Sequence, residues 1–274
     1  MTMAKMIYLG LLAVAFGAHP TCAAEGAPQS VKLSSPSAGN DGLVALSPPG
    51  VVRVRTSSFR YAAWGHEIAS IDARSIADWV VDSGDSRDMP FIVIDKIDAK
   101  VFVFDAAGGL RGAAPALLGL ALGDVAVPGI GKRALSKILP EERTTPAGRF
   151  EAALGRNLAG KEILWVDYDG AVSLHPVIST KLKEHRLERL ASLTPLDNRI
   201  SYGCINVSAR FFDQVVRPAF SGTNGIVYVL PETRSIQKEF GSYDVSEQER
   251  RQTEIPRSSL SAVPPAPTFN GSSK

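Results

Sequence analysis

Phe91–Gly112 reads FIVIDKIDAKVFVFDAAGGLRG, and its pattern decides the fold class. Phe91–Ile94 and Lys100–Phe104 are dense in β-branched and aromatic residues, and Ala106-Ala107-Gly108-Gly109 supplies a turn. Similar apolar runs predict strands at Ile163–Asp167, Val172–Ile178 and Gly225–Leu230, with a helix at Ala209–Val216. Lys181–Ala191 reads as a charged helix closed off by Pro195. Ala113–Val127 is apolar but broken by Asp124 and flanked by Pro115 and Pro128, so it predicts a core strand with loops rather than a membrane span. Many short strands with few helices give a mainly β domain with minor α over residues 90–231.

The flanks differ in character. Lys5 precedes an apolar run, Ile7–Ala18, and a small-residue stretch ends in Cys22-Ala23-Ala24. A basic start, an apolar stretch of about a dozen residues and a small-residue cleavage site make residues 1–24 a secretory signal peptide, too short for a transmembrane helix. Residues 25–57, rich in Ser, Pro, Gly and Ala, read as a flexible linker. In 58–89, apolar residues at Ile68, Ile71, Ile76, Trp79 and Val80 predict a short amphipathic helix packed on the main domain from outside. Residues 232–274 are polar and are expected to be disordered, with a short helix before the disorder as the alternative. Thirty basic residues nearly balance 28 acidic ones, which leaves no field to recruit nucleic acid.

Signal removal would take Cys22 with it and leave Cys204 as the single cysteine. A lone thiol in an oxidising compartment is buried and inert, joined to another chain, or reactive. The count alone favours burial; the surroundings point the other way. In Arg199–Val207, RISYGCINV, Gly203 allows unusual dihedrals just before the thiol, and Ile205 and Val207 alternate with Cys204 and Asn206 as in a strand with one face in the core. Backbone N–H groups around Ser201, Tyr202, Gly203 and Cys204 could form an oxyanion hole. Four histidines are present. His175 stands in AVSLHPV, at the end of an apolar strand; His185 stands in the charged KLKEHRLER; His66 has no chemical context.

SYGCIN resembles the [ST]-H-G-C-(hydrophobic)-[RN] signature of the L,D-transpeptidase catalytic domain, called YkuD-like. TPAGRF (145–150) resembles that family's T-P-x-G-x-[FY] segment, and residues 91–112 resemble its opening hairpin. The resemblance implies a β-sandwich or barrel with a few short helices, and Cys204 as nucleophile of a thioester mechanism. Its base would be His175, with His185 the alternative, and Ser201, Tyr202, Gly203 and Asn206 would shape the pocket. Peptidoglycan stem peptides would be the substrates and a second stem, water or an outer-membrane protein the acceptor, in the periplasm, with no metal or organic cofactor. Two departures stand out. Tyr202 replaces the motif histidine, and His175 lies 29 positions before Cys204, farther than is usual in the family, whereas His185 at 19 positions fits better. A rigid strand favours His175, with the longer interval explained by insertion of Lys181–Ala191. Arg149 and the basic cluster Lys181, Lys183, Arg186 and Arg189 each have a structural or solvated reading beside a functional one.

Overall fold

A computed structural model describes residues 58–253. The expected signal segment (1–24), the linker (25–57) and the end of the expected tail, from 254 on, lie outside the described residues. Helix α1 (Ile71–Ser83) starts where the Ser70 hydroxyl accepts from the Ala73 N–H and stops at Gly84, whose left-handed conformation lets its N–H reach the Val80 carbonyl. Strands β1 (Phe91–Asp95), β2 (Lys100–Phe104) and β3 (Leu110–Pro115) follow as an antiparallel meander, then the short β4 (Leu118–Gly119). After a long irregular passage come β5 (Gly148–Arg156), β6 (Glu162–Asp167) and β7 (Val172–Pro176). Helix α2 (Arg186–Ala191), β8 (Arg199–Ser201) and β9 (Ile205–Val207) lead to α3 (Ala209–Phe211), which runs through a π turn (Phe212–Val216) into α4 (Arg217–Phe220). Strand β10 (Gly225–Val229) and helices α5 (Ile236–Phe240) and α6 (Val245–Thr253) complete the described chain.

Eight strands form one mixed sheet in the order β3-β2-β1-β10-β5-β6-β7-β9, parallel at β1–β10 and β7–β9. The sheet curls until its ends meet: Leu117, just past β3, exchanges two N–H···O bonds of 2.8 Å with Asn206 of β9. The fold is therefore mainly β, a nearly closed barrel with several short helices, in the class expected from the sequence.

Alternation explains the composition of the central strands. Ile92, Ile94, Val101, Val103, Val227 and Val229 fill the barrel, together with Phe212, Val216 and Phe220 from the helical run after β9. Their neighbours Phe91, Val93, Phe102, Phe104, Ile226 and Tyr228 face outward onto Ile76, Trp79 and Val80 of α1. Because both faces are covered, these strands read as continuous apolar runs.

Several expectations need correction. Polar composition predicts disorder from Glu232, yet α5 and α6 bury Ile236 and Val245 in the outer core, and Tyr243 donates to Asp82 at 2.6 Å. A few well-placed apolar residues anchor this segment despite its polar average. The expected core strand in Ala113–Val127 is mostly loop: only Ala113–Pro115 and Leu118–Gly119 are extended in strands. Lys181–Ala191 is not one helix, because His185 adopts a left-handed conformation (φ 47°) between a single 3-10 turn, Leu182–Glu184, and α2.

Lys96, with a fully buried side chain, ties the loop after β4 to the barrel. Its ammonium donates to the Gly123 carbonyl (2.6 Å), the Asp124 carboxylate (2.8 Å) and the Thr145 carbonyl (3.0 Å). Asp124 also accepts from the Glu232 and Thr233 N–H groups, and Glu232 pairs with Arg199 of β8. Burial alone would raise the Asp124 carboxyl; these donors outweigh it and hold the group far below the usual carboxylate range.

Candidate active site

The parallel pair β7–β9 builds the site. Its register sets His175 beside Asn206 and Leu174 beside Ile205. Alternation then puts Ser173 and His175 on one face of β7, and Cys204 and Asn206 on the matching face of the β9 segment. The odd partners, Leu174, Ile205 and Val207, are in the barrel core and fix the register. Ser173 Oγ lies 3.7 Å from Cys204 Sγ, whose thiol also points at the Ala171 carbonyl at 3.6 Å.

Thiol and imidazole perturb one another. Burial pushes the Cys204 thiol up, but the neighbouring His175 imidazole, helped by the Ser173 N–H and hydroxyl, brings it below the ordinary thiol value. Burial pulls His175 down, while Cys204 and the Pro176 carbonyl raise it, for a net rise against a small opposing push from Arg186. The ring is held at both nitrogens: Nδ1 is 2.8 Å from the Pro176 carbonyl, and Nε2 is 2.9 Å from Asn206 Nδ2. Proline at 176 gives up no acceptor here, because only its carbonyl is needed.

The turn before the thiol is pinned from both sides. Ser201 Oγ donates to the Cys204 carbonyl at 2.6 Å and accepts from the Gly203 N–H at 3.0 Å. The Gly203 N–H, expected among the oxyanion donors, is thus turned inward, leaving Tyr202 and Cys204 as the donors to consider. Gly203 has φ +125°, and a Cβ there would stand 2.9 Å from the Thr144 carbonyl oxygen. Thr145, fully buried, donates its hydroxyl to the Gly203 carbonyl (2.9 Å) and accepts from the Gly119 N–H (2.8 Å). TPAGRF therefore meets the cysteine turn through its threonine. Arg149 of the same segment does not: it pairs with Asp85 at 2.6 Å and approaches the ring of Tyr228, which packs in the outer core.

Tyr202 lies under Arg143, whose guanidinium carbon is 3.9 Å from the ring centroid. A cavity of about 240 Å³ opens over His175, Cys204, Asn206, Tyr202, Arg186 and Ile178. A smaller one of about 90 Å³ also reaches Cys204 and Tyr202. His185, the alternative base, is not brought to Cys204; its side chain is 69% exposed and faces Glu188 at 3.9 Å. His66 is exposed as well. Among the described residues no group of three or more His, Cys, Asp or Glu could hold a metal ion, and no helix is long and apolar enough to cross a membrane.

Two residues of the site, Ser173 and Arg186, carry little signal in the sequence. Ser173 could have been found from its two-residue spacing to His175. Arg186 belongs to a basic cluster whose sequence suits a solvated helix face, yet its side chain is only 12% exposed and donates to Asn206 Oδ1 at 2.7 Å. Nothing in the charged run KLKEHRLER singles it out, because the left-handed break at His185 turns it inward.

What the chain's own geometry defines is a thiol–imidazole site on a mainly β scaffold. No family model and no curated protein matches the chain. Among solved structures it is similar to LD transpeptidase LdtMt1 in complex with imipenem, at 16% identity over 52% of this chain and 58% of that one, with a TM-score of 0.29. It is also similar to the catalytic domain of the E. faecium L,D-transpeptidase, at 16% identity over 52% of this chain and 98% of that one, with a TM-score of 0.26. Likenesses this distant carry no weight for the chemistry of this chain.

Proposed function

We propose that this protein is an exported, periplasmic acyl transferase that acts on peptidoglycan stem peptides through a thioester on Cys204. The observation that supports it best is the placement of Cys204 and a strand-borne His175 on the paired β7 and β9 segments, lining one cavity, within a segment that resembles the L,D-transpeptidase signature. His175 takes the thiol proton, and the thiolate attacks the carbonyl between the L-centre of meso-diaminopimelate and the terminal D-Ala. The Tyr202 and Cys204 N–H groups face the oxyanion. His175 then returns the proton to the departing D-Ala amine, leaving the thioester. An amine of a second stem resolves it to a 3→3 cross-link. Water would make the same protein a carboxypeptidase, and a lysine of an outer-membrane protein would make it an attachment enzyme. No cofactor enters these steps.

The test is release of D-Ala from tetrapeptide muropeptides, followed by mass spectrometry. Release by the wild type, abolished in Cys204→Ala, is the expected result. A folded wild type that releases none, or a variant that releases as much, removes the reading. Tyr202 in place of the motif histidine favours a second reading, a wall-binding protein that keeps the fold without turnover. Saturable binding to sacculi with an unreactive Cys204 would identify it.

A further inference from the structure

Four groups form a directed chain across the site. Arg186 Nη1 donates to Asn206 Oδ1 at 2.7 Å, Asn206 Nδ2 lies 2.9 Å from His175 Nε2, and His175 Nδ1 lies 2.8 Å from the Pro176 carbonyl. The ends fix the polarity of every link. A guanidinium can only donate, so the Asn206 oxygen must face Arg186 and its NH2 must face the imidazole. A carbonyl can only accept, so Nδ1 carries the ring proton and Nε2 presents a lone pair. Asn206 is 1% exposed and its amide has no freedom to turn over without losing both partners.

We propose that Arg186 is a positioning residue that, through Asn206, holds His175 in the Nδ1–H form with its Nε2 lone pair occupied until Cys204 claims it. The inference rests on the role of His175 proposed above. Cys204 and the Pro176 carbonyl favour the imidazolium; against them, protonating Nε2 would set an N–H against the Asn206 NH2, so the Arg186–Asn206 link works to hold the ring neutral. The surroundings of the thiol agree: Cys204 Sγ lies 3.6 Å from the Ala171 carbonyl oxygen, while the Asn206 amide occupies the base. Arg186 is itself held by Glu184 at 2.5 Å, at the start of α2. Other charged or titratable groups also face His175. Cys204, Tyr202, Lys181, Glu184 and Arg186 share one cavity with it, while Lys161 and the Glu162–Arg217 pair border a second cavity that also reaches it. Of these, Arg186 is the one that bonds the amide on Nε2.

The test compares the full chain with Arg186→Met, Arg186→Lys and Asn206→Ala. The readouts are the pH profile of Cys204 alkylation by iodoacetamide, followed by intact mass, and the His175 tautomer from imidazole 15N shifts. Wild type should show the Nδ1–H form near neutral pH. In Arg186→Met the Asn206 amide is free to turn its oxygen to Nε2. The alkylation profile should move to lower pH, with rates about fivefold higher on its lower limb, the factor of one hydrogen bond. Asn206→Ala should move it the same way, and Arg186→Lys, which keeps a donor, should stay near wild type. The proposal is overturned if Asn206→Ala leaves profile and tautomer unchanged, if Arg186→Met moves the profile upward, or if Arg186→Lys moves it as far as Met. Asn206→Ala and Arg186→Lys decide the matter if Arg186→Met does not fold. Shifts as expected in a protein that releases no D-Ala keep this inference and remove the acyl-transfer reading; release without the shifts does the reverse.

Discussion

Gly203 carries the geometry of the thiol in a way no other residue type could. Its φ of +125° lies in territory that side chains rarely enter, and a methyl group would press on the Thr144 carbonyl at 2.9 Å, against backbone that cannot swing aside. Gly203→Ala is expected to lower stability by about 1–3 kcal/mol and to slow Cys204 alkylation, because the turn must shift to admit the methyl. Urea unfolding and iodoacetamide labelling measure the two effects; a variant as stable and as reactive as wild type would show the turn to be unconstrained. Cys204, His175 and the glycine were legible as residues because strand alternation and a backbone need leave marks in the sequence. Thr145 acts through two long-range contacts, to Gly203 and Gly119, and Arg186 through one, to Asn206, and such contacts leave no period. The inward turn of the Gly203 N–H was illegible for a related reason, since it depends on where one hydroxyl, Ser201 Oγ, is aimed.

At the scale of elements, α1 is a second wall for the central strands rather than an ornament on them. Ile76 is completely buried against the outward faces of the sheet. Ile76→Ala should cost about 2–4 kcal/mol, the range for deleting a buried aliphatic side chain, read as a lower urea midpoint with Cys204 alkylation unaffected, since the outer core does not touch the site. A loss below about 0.5 kcal/mol would mean that the site is not a packed core position. Helix and strand positions here were readable because the apolar period is strong in FIVID, KVFVF and GIVYV. The C-terminal helices were not, because Ile236 and Val245 are scattered in polar sequence and declare themselves only once Tyr228 and α1 supply the surface they cover. The loop at 120–127 was hidden by its apolar composition, which suited a strand, while Lys96 holds it in place through Gly123 and Asp124.

For the molecule as a whole, the buried Lys96–Asp124 pair joins β1, the β4–β5 passage and the segment after β10. Asp124→Asn at neutral pH removes the nearer of the two buried carboxylates around the ammonium, leaving Glu232 at 3.5 Å, and should cost about 1.5–3 kcal/mol, the range for a hydrogen bond to a charged group. The folded chain holds this carboxyl below its ordinary range, so it binds fewer protons in acid than the unfolded chain does. The stabilisation is complete above about pH 4, the range of a free carboxylate, and is lost as pH falls below it toward the depressed folded value. Urea curves at pH 7 and pH 3 should therefore show the gap between wild type and Asp124→Asn narrowing in acid; a gap of constant width would assign the cost to packing instead. The barrel closes at a narrower place, where Leu117 and Asn206 exchange their two backbone bonds. Asn206 thus serves as clasp and as holder of the imidazole with one and the same residue. Any breathing of the wall at that seam is transmitted to His175 without an intermediary, so the stiffness of the barrel and the aim of its base are a single mechanical property.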